Sequence, residues 1–365
     1  MPELSLKRIF GGRLMAEPPA PAAAPAPVAE LVRPHAPPQA APPAADPARE
    51  RVINVRFYTD YPVCNYKCPY CVAGHAPPEG RPESPWSEER YLQVVDNLCK
   101  LDFPINLRIG VGGEFFISKV LVEGARKLAA CDHVKVLNLI TNLSFHPQQY
   151  ARILKGIPKE KVALVASYHP TEVKSADAWV AAAQELATYY DLTTMSVAYP
   201  PALPKLREIK EKFAAVGVDH FIQPFIGEYE GKLYPQAYTE EERAIVREVI
   251  YSRHDYEFLL NLKKPGLCNA GFKYLFIDPY GVVKPCGGAE HGRILGDLTV
   301  SPKIEFLDGP RPCPASACQC DTENIQTKVF EDHYAWTDKN QHRFAYRFAD
   351  EAKTSPWMDE WKVPY

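Results

Sequence analysis

Cys64-Asn65-Tyr66-Lys67-Cys68-Pro69-Tyr70-Cys71 places three cysteines at C-x3-C-x2-C spacing. It follows at once on Val52-Ile53-Asn54-Val55-Arg56-Phe57-Tyr58, which alternates like a strand. Three thiolates on one loop can hold three irons of a [4Fe–4S] cube and leave the fourth iron open to another ligand. Zinc sites more often present paired C-x2-C knuckles with a second pair downstream.

With aromatic Tyr70 directly before its last cysteine, the triplet resembles the signature of the radical S-adenosylmethionine (radical SAM) enzymes. The resemblance implies that Cys64, Cys68 and Cys71 ligate a [4Fe–4S] cluster, with Tyr70 beside the adenine of SAM. SAM would chelate the open iron through its amino and carboxylate groups. Reductive cleavage would then give a 5′-deoxyadenosyl radical that removes a hydrogen atom from a substrate. An electron donor such as flavodoxin or ferredoxin is the partner this chemistry implies.

Composition sets outer limits. The 365 residues suffice for one large domain and a smaller one. A formal net charge of −3 with mixed acids and bases leaves no electrostatic footprint for nucleic acid. No run of about 18 apolar residues is present, so no membrane partner is expected. Ten cysteines without an export signal point to a reducing cytoplasm and metal ligation. Residues 18–48 contain 23 Pro or Ala among 31 positions and read as an extended tether. The expected division is a disordered segment 1–50, a barrel 51–262, an auxiliary-cluster module 263–326 and a tail 327–365.

From Arg51 onward strand and helix patterns alternate. Strands are predicted over 52–60, 105–113, 134–141, 161–167, 192–199 and 220–227. Helices are predicted over 87–101, 117–130, 147–156, 176–190, 203–216 and 239–261, the last opening with the capping box Thr239-x-x-Glu242. Six β-α units imply an α/β fold with a parallel sheet. The resemblance makes this a partial (β/α)6 TIM-like barrel, with ligands at the C-terminal ends of the strands.

Strand two ends in Gly112-Gly113-Glu114, similar to the family's Gly-Gly-Glu-Pro element, with Phe115 where proline is usual. The resemblance implies that this turn binds the SAM amino group, the glycines permitting close backbone approach and the carboxylate facing the ammonium. Asn142 and Ser167, at the ends of strands three and four, resemble family positions touching the SAM ribose or carboxylate. His169 is the candidate for proton transfer at the substrate. Tyr199, Gln223 and Glu228 end later strands and carry no assigned role. Cys99 and Cys131 read as buried structural thiols on helix inner faces.

A second cysteine group comprises Cys268, Cys286, Cys313, Cys318 and Cys320. Between its first two members, Asp278-Pro279-Tyr280-Gly281 is a type I turn signature within a β-hairpin. The stretch matches C-x12-G-x4-C and resembles the opening of the SPASM and twitch extensions of radical SAM enzymes. Five thiolates cannot fill the eight sites of a full SPASM domain, so one auxiliary [4Fe–4S] cluster and a shortened, twitch-like module are expected. Spacing does not rank Cys313 against Cys320 as its fourth ligand.

The expected reaction is a net oxidation aided by the auxiliary cluster. The expected substrate is a small molecule such as a sugar, an aminocyclitol or another metabolite. Modification of a ribosomal peptide is the alternative, and a non-catalytic iron–sulfur electron carrier is the alternative from another class.

Overall fold

The computed structural model describes residues 52–71, 85–218, 220–225, 227–249, 267–268, 270–287, 293–309 and 311–312. Segments 1–50 and 327–365, residues 250–261 of the sixth predicted helix, and Cys313, Cys318 and Cys320 lie outside the described residues.

Six strands run parallel and lie side by side in sequence order: β1 (Ile53–Tyr58), β2 (Ile105–Gly110), β3 (Val134–Thr141), β4 (Val162–Ser167), β5 (Asp191–Ala198) and β6 (His220–Pro224). Between them run α1 (Glu88–Leu98), α2 (Lys119–Ala129), α3 (Pro147–Ile153), α4 (Ala176–Ala187) and α5 (Leu203–Ala215). A parallel pair needs a crossover, and each helix supplies one. The architecture is α/β with the topology of a partial (β/α)6 barrel.

Local chemistry fixes the helix starts. The hydroxyls of Ser87, Ser118 and Ser175 accept backbone N–H bonds at the N-termini of α1, α2 and α4. The capping box before α6 (Glu240–Val249) is present in both directions: Thr239 N–H donates to Glu242 at 2.8 Å, and Glu242 N–H donates to the Thr239 hydroxyl at 3.2 Å. Along α1, Tyr91, Val94, Val95 and Leu98 fall on one face and are buried against Ile53, Val55 and Phe57 of β1. The alternate residues Asn54, Arg56 and Tyr58 therefore face the concave side of the sheet. Strands two to five repeat this division: Leu107, Ile109, Leu137, Leu139, Leu164 and Leu192 pack with the helices, whereas Asn106, Arg108, Asn138 and Thr193 line the inside.

Three features differ from the sequence expectation. Strand β6 stops at Pro224, which has no N–H to continue a ladder. The chain then forms the small hairpin β7 (Gly227–Tyr229) and β8 (Lys232–Tyr234). The hairpin expected in a separate module, β10 (Tyr274–Ile277) and β11 (Val282–Lys284), follows β9 (Leu267–Cys268) and joins the main sheet instead. Strand β10 pairs parallel with the outer edge of β1, and β12 (Gly296–Asp297) completes that side. Its turn is as predicted: Asp278 accepts the N–H groups of Tyr280 and Val282, and Gly281 has φ +85°. Finally, Cys99 and Cys131 are half-buried, not buried, and both thiols point at the Lys127 carbonyl, 3.8 and 3.3 Å away. They sit where α1 and α2 end, beyond the fully packed turns.

His220 is a buried histidine that the sequence did not single out. Its ring stacks on Phe213 at 4.3 Å, and its two nitrogens bond Thr194 and Ser196 at 2.8 and 3.1 Å. Burial pushes its pKa down to about 3, so it is a neutral packing residue on the helix side of the sheet.

Candidate active site

The cysteine loop crosses the C-terminal ends of the strands, and two neighbouring strand ends hold it. Glu114 N–H donates to the Val63 carbonyl at 2.8 Å. Gly113 lies against the same peptide: a Cβ there would sit 2.0 Å from the Val63 oxygen. Only glycine permits this approach, so Gly113 serves the seating of the cysteine loop. Gly112, half-buried, precedes it in the same turn.

The Glu114 side chain is engaged at the strand ends as well. Its carboxylate, 1% exposed, accepts from Phe116 N–H (3.2 Å), the Thr141 hydroxyl (2.8 Å) and Asn142 N–H (2.7 Å). It ties the end of β2 to the end of β3, with the Tyr150 hydroxyl 3.0 Å from Thr141 behind it. Burial pushes its pKa up to about 7 although all three hydrogen bonds act the other way.

Asn142 is the third support. Its amide donates to Asn65 Oδ1 at 2.8 Å and lies 3.7 Å from Cys64 Sγ, while its Oδ1 accepts Ser144 N–H. Tyr66 N–H also points at Cys64 Sγ, at 3.4 Å. Asn142 thus braces the loop that carries Cys64.

His169 follows β4 and reaches back to the loop. Its Nδ1 is 3.3 Å from Cys68 Sγ and 3.1 Å from the Tyr70 hydroxyl. Tyr70 lies between His169 and Tyr199, its ring centroid 4.5 Å from that of Tyr199. Aromatic contacts continue through Phe225, Tyr229, Tyr234 and Tyr238 and wall the β5–β6 side. Ser167, half-buried, ends β4 opposite Met195 on the concave side.

The loop's chemistry fits an iron–sulfur cluster. Cys64, Cys68 and Cys71 are free thiols. Burial raises the pKa of Cys64 and pushes that of Cys68 up to about 12; the charges of Glu114 and Cys71 raise the first further, and those of Glu172, Cys71 and Cys64 the second. Three thiolates so close together repel one another until cationic iron offsets them. N–H donors aimed at Cys64 Sγ are the kind of outer contact that stabilises a ligating sulfur. Among the described residues no three His, Cys, Asp or Glu side chains converge on a single ion.

In the second group, Cys286 is buried beside Ala270, Tyr274 and Phe276. The backbone of Cys268 pairs with Arg311 of β13 (Arg311–Pro312), the strand that ends one residue before Cys313 in sequence. The expectations for Cys313, Cys318 and Cys320 lie outside the described residues. No helix among those residues is long and apolar enough to cross a membrane.

No protein-family model and no curated protein matches the chain. Among solved structures it is similar to native anSMEcpe with bound AdoMet, at 14% identity and TM-score 0.49, over 84% of this chain and 87% of that one. It is similar to BtrN in complex with AdoMet and 2-DOIA, at 13% identity and TM-score 0.35, over 68% and 79%. A third is Streptococcus suis SuiB bound to S-adenosylmethionine, at 13% identity and TM-score 0.42, over 65% and 60%. With these TM-scores below 0.5, the functional reading rests on this chain's own residues.

Proposed function

We propose that the protein is a radical SAM enzyme, and one observation carries the reading. A C-x3-C-x2-C loop with no disulfide is clamped by Gly113, Glu114 and Asn142 across the mouth of a parallel β/α sheet. A [4Fe–4S] cluster held by Cys64, Cys68 and Cys71 supplies the electron that cleaves SAM to a 5′-deoxyadenosyl radical. The protein's part is orientation and exclusion of side reactions. Glu114 and Asn142 fix the loop against β2 and β3, and His169 and Tyr70 close it on the β4 side. The aromatic wall from Tyr199 to Tyr238 keeps water from the inside. Ser167 and the Gly112-Gly113 backbone are the groups we assign to SAM.

The reaction we propose is hydrogen abstraction from a small molecule, such as a sugar, an aminocyclitol or another metabolite, ending in a net oxidation. One auxiliary [4Fe–4S] cluster, with Cys268 and Cys286 among its ligands, would take up the substrate electron. The electron that reduces the SAM-cleaving cluster would come from a cytoplasmic donor such as flavodoxin or ferredoxin. Ribosomal-peptide modification is the second reading, since the C-x12-G-x4-C stretch resembles the opening of SPASM extensions, many of which belong to peptide-modifying proteins. Release of 5′-deoxyadenosine from SAM that depends on added reductant separates an enzyme from an electron carrier; a reconstituted protein that binds iron and releases none would overturn the proposal.

A further inference from the structure

The end of β4 sends one side chain across to a cysteine of a distant loop. His169 stands two residues beyond β4 and 101 positions from Cys68, and its Nδ1 lies 3.3 Å from Cys68 Sγ. The ring is held in place there. Tyr66 meets it edge-on, at 5.7 Å and 81°, and Tyr70 stacks on it, at 6.0 Å and 22°. The His169 carbonyl accepts the N–H groups of Glu172 and Val173 at 3.0 and 2.9 Å, which turns the backbone tightly just after the ring.

Two more side chains converge on the same sulfur. Burial raises the Cys68 pKa most, and a hydrogen bond from Thr171 acts against that rise, the sign of a donor that favours the anionic sulfur. Burial also raises the Tyr70 pKa most, and its hydrogen bond with Cys68 adds to the rise, the sign of a hydroxyl that donates. Glu172 opposes these donors, because its charge raises the Cys68 pKa. Cys64, by comparison, has the Tyr66 N–H at 3.4 Å and the Asn142 amide at 3.7 Å.

A ligating thiolate has no proton to give, so its sulfur only accepts. The imidazole tautomer with Nδ1–H therefore makes the contact with Cys68 favourable, and the Tyr70 oxygen, 3.1 Å from the same nitrogen, shares that hydrogen. Hydrogen bonds to the sulfurs are among the factors that set an iron–sulfur reduction potential. They withdraw electron density from sulfur and so favour the reduced, more negative state.

We infer that His169 is an outer hydrogen-bond donor to the Cys68 sulfur, raising the reduction potential of the cluster held by Cys64, Cys68 and Cys71 and easing its reduction by the electron donor. The role is exerted through Cys68 and needs no contact with substrate. The inference rests on the enzyme reading and adds to it a control on how readily the enzyme accepts its electron.

Redox titration of the reconstituted protein tests the inference, followed by electron paramagnetic resonance on the signal that changes when SAM is added. His169→Phe keeps the ring contacts and loses the donor. At a fixed potential its ratio of reduced to oxidised cluster should fall about three- to tenfold, as loss of one hydrogen bond implies. That is a downward shift of about 30–60 mV, at 59 mV per tenfold for one electron. His169→Asn sets an amide nitrogen as many bonds from Cβ as Nδ1 and should restore most of the shift. An unchanged potential in iron-loaded His169→Phe, or the same shift in both variants, would overturn the assignment. If His169→Phe fails to hold iron, the wild type labelled with nitrogen-15 histidine decides. Its reduced cluster should show a nitrogen-15 coupling that labelled His169→Asn lacks, and no such difference would overturn the assignment equally. An iron-loaded wild type with no signal that responds to SAM refutes the enzyme reading, whereas a responsive signal with an unmoved potential refutes only the His169 donor.

Discussion

Replacing Glu114 by glutamine probes the clamp that joins the ends of β2 and β3. The wild-type carboxylate is buried, accepts three hydrogen bonds, and has its pKa pushed from 4.5 up to about 7 by desolvation. The folded value lies above the unfolded one, so the folded state binds the proton more tightly. The stability that protonation contributes is fully present below about pH 4.5 and is lost as pH rises through about 7. With about 1.4 kcal/mol per pKa unit, the wild type should lose roughly 2–3 kcal/mol through this group between pH 5 and pH 8. Glutamine has the shape of the protonated acid and does not titrate. The stability difference, wild type minus Glu114→Gln, should therefore fall by roughly 2–3 kcal/mol over that range, whatever other groups titrate. Urea unfolding followed by circular dichroism at both pH values measures it. A difference that stays the same at pH 5 and pH 8 would refute the buried, proton-binding clamp.

Gly113→Ala should unseat the cysteine loop, because the new Cβ would meet the Val63 backbone, which cannot rotate away. Overpacking of this kind costs about 1–3 kcal/mol, and the readouts are a lower melting midpoint and iron loss from the loop's cluster; full iron and an unchanged midpoint would count against the contact. Asn142→Ala removes the bond to Asn65 and the donor near Cys64 Sγ, so the fold should survive while the cluster is lost faster to a chelator. The double variant Cys268→Ala/Cys286→Ala should still cleave SAM but form no product from the true substrate; normal product would make the second cysteine group structural.

Much of the fold was legible because local signals agree with it. Apolar β-branched runs mark β3, β4 and β5, serine caps mark helix starts, and Thr239-x-x-Glu242 reads as a box because both of its bonds are local. The triplet, with the Gly-Gly-Glu turn one unit later, located the site. What stayed hidden depends on contacts distant in sequence. Nothing around Glu114 shows that its carboxylate turns to Thr141 and Asn142, or around Gly113 that its neighbour is Val63. The run Tyr274–Ile277 reads as a hairpin strand, but its pairing with β1 joins residues more than two hundred positions apart. The alternation in Asn54, Arg56 and Tyr58 signalled a strand with one polar face. That this face lines a concave wall with Arg108 and Asn138 follows only from the register of three strands.

The central claim is that Cys64, Cys68 and Cys71 hold the cluster that cleaves SAM. The direct measurement compares the reconstituted wild type with the variant carrying Ala at all three positions, both given SAM and dithionite, with 5′-deoxyadenosine and iron quantified together. The account predicts release by the wild type, none by the variant, and about half the iron retained on the auxiliary ligands. Full iron with undiminished release in the variant, or no release from an iron-loaded wild type, would contradict it.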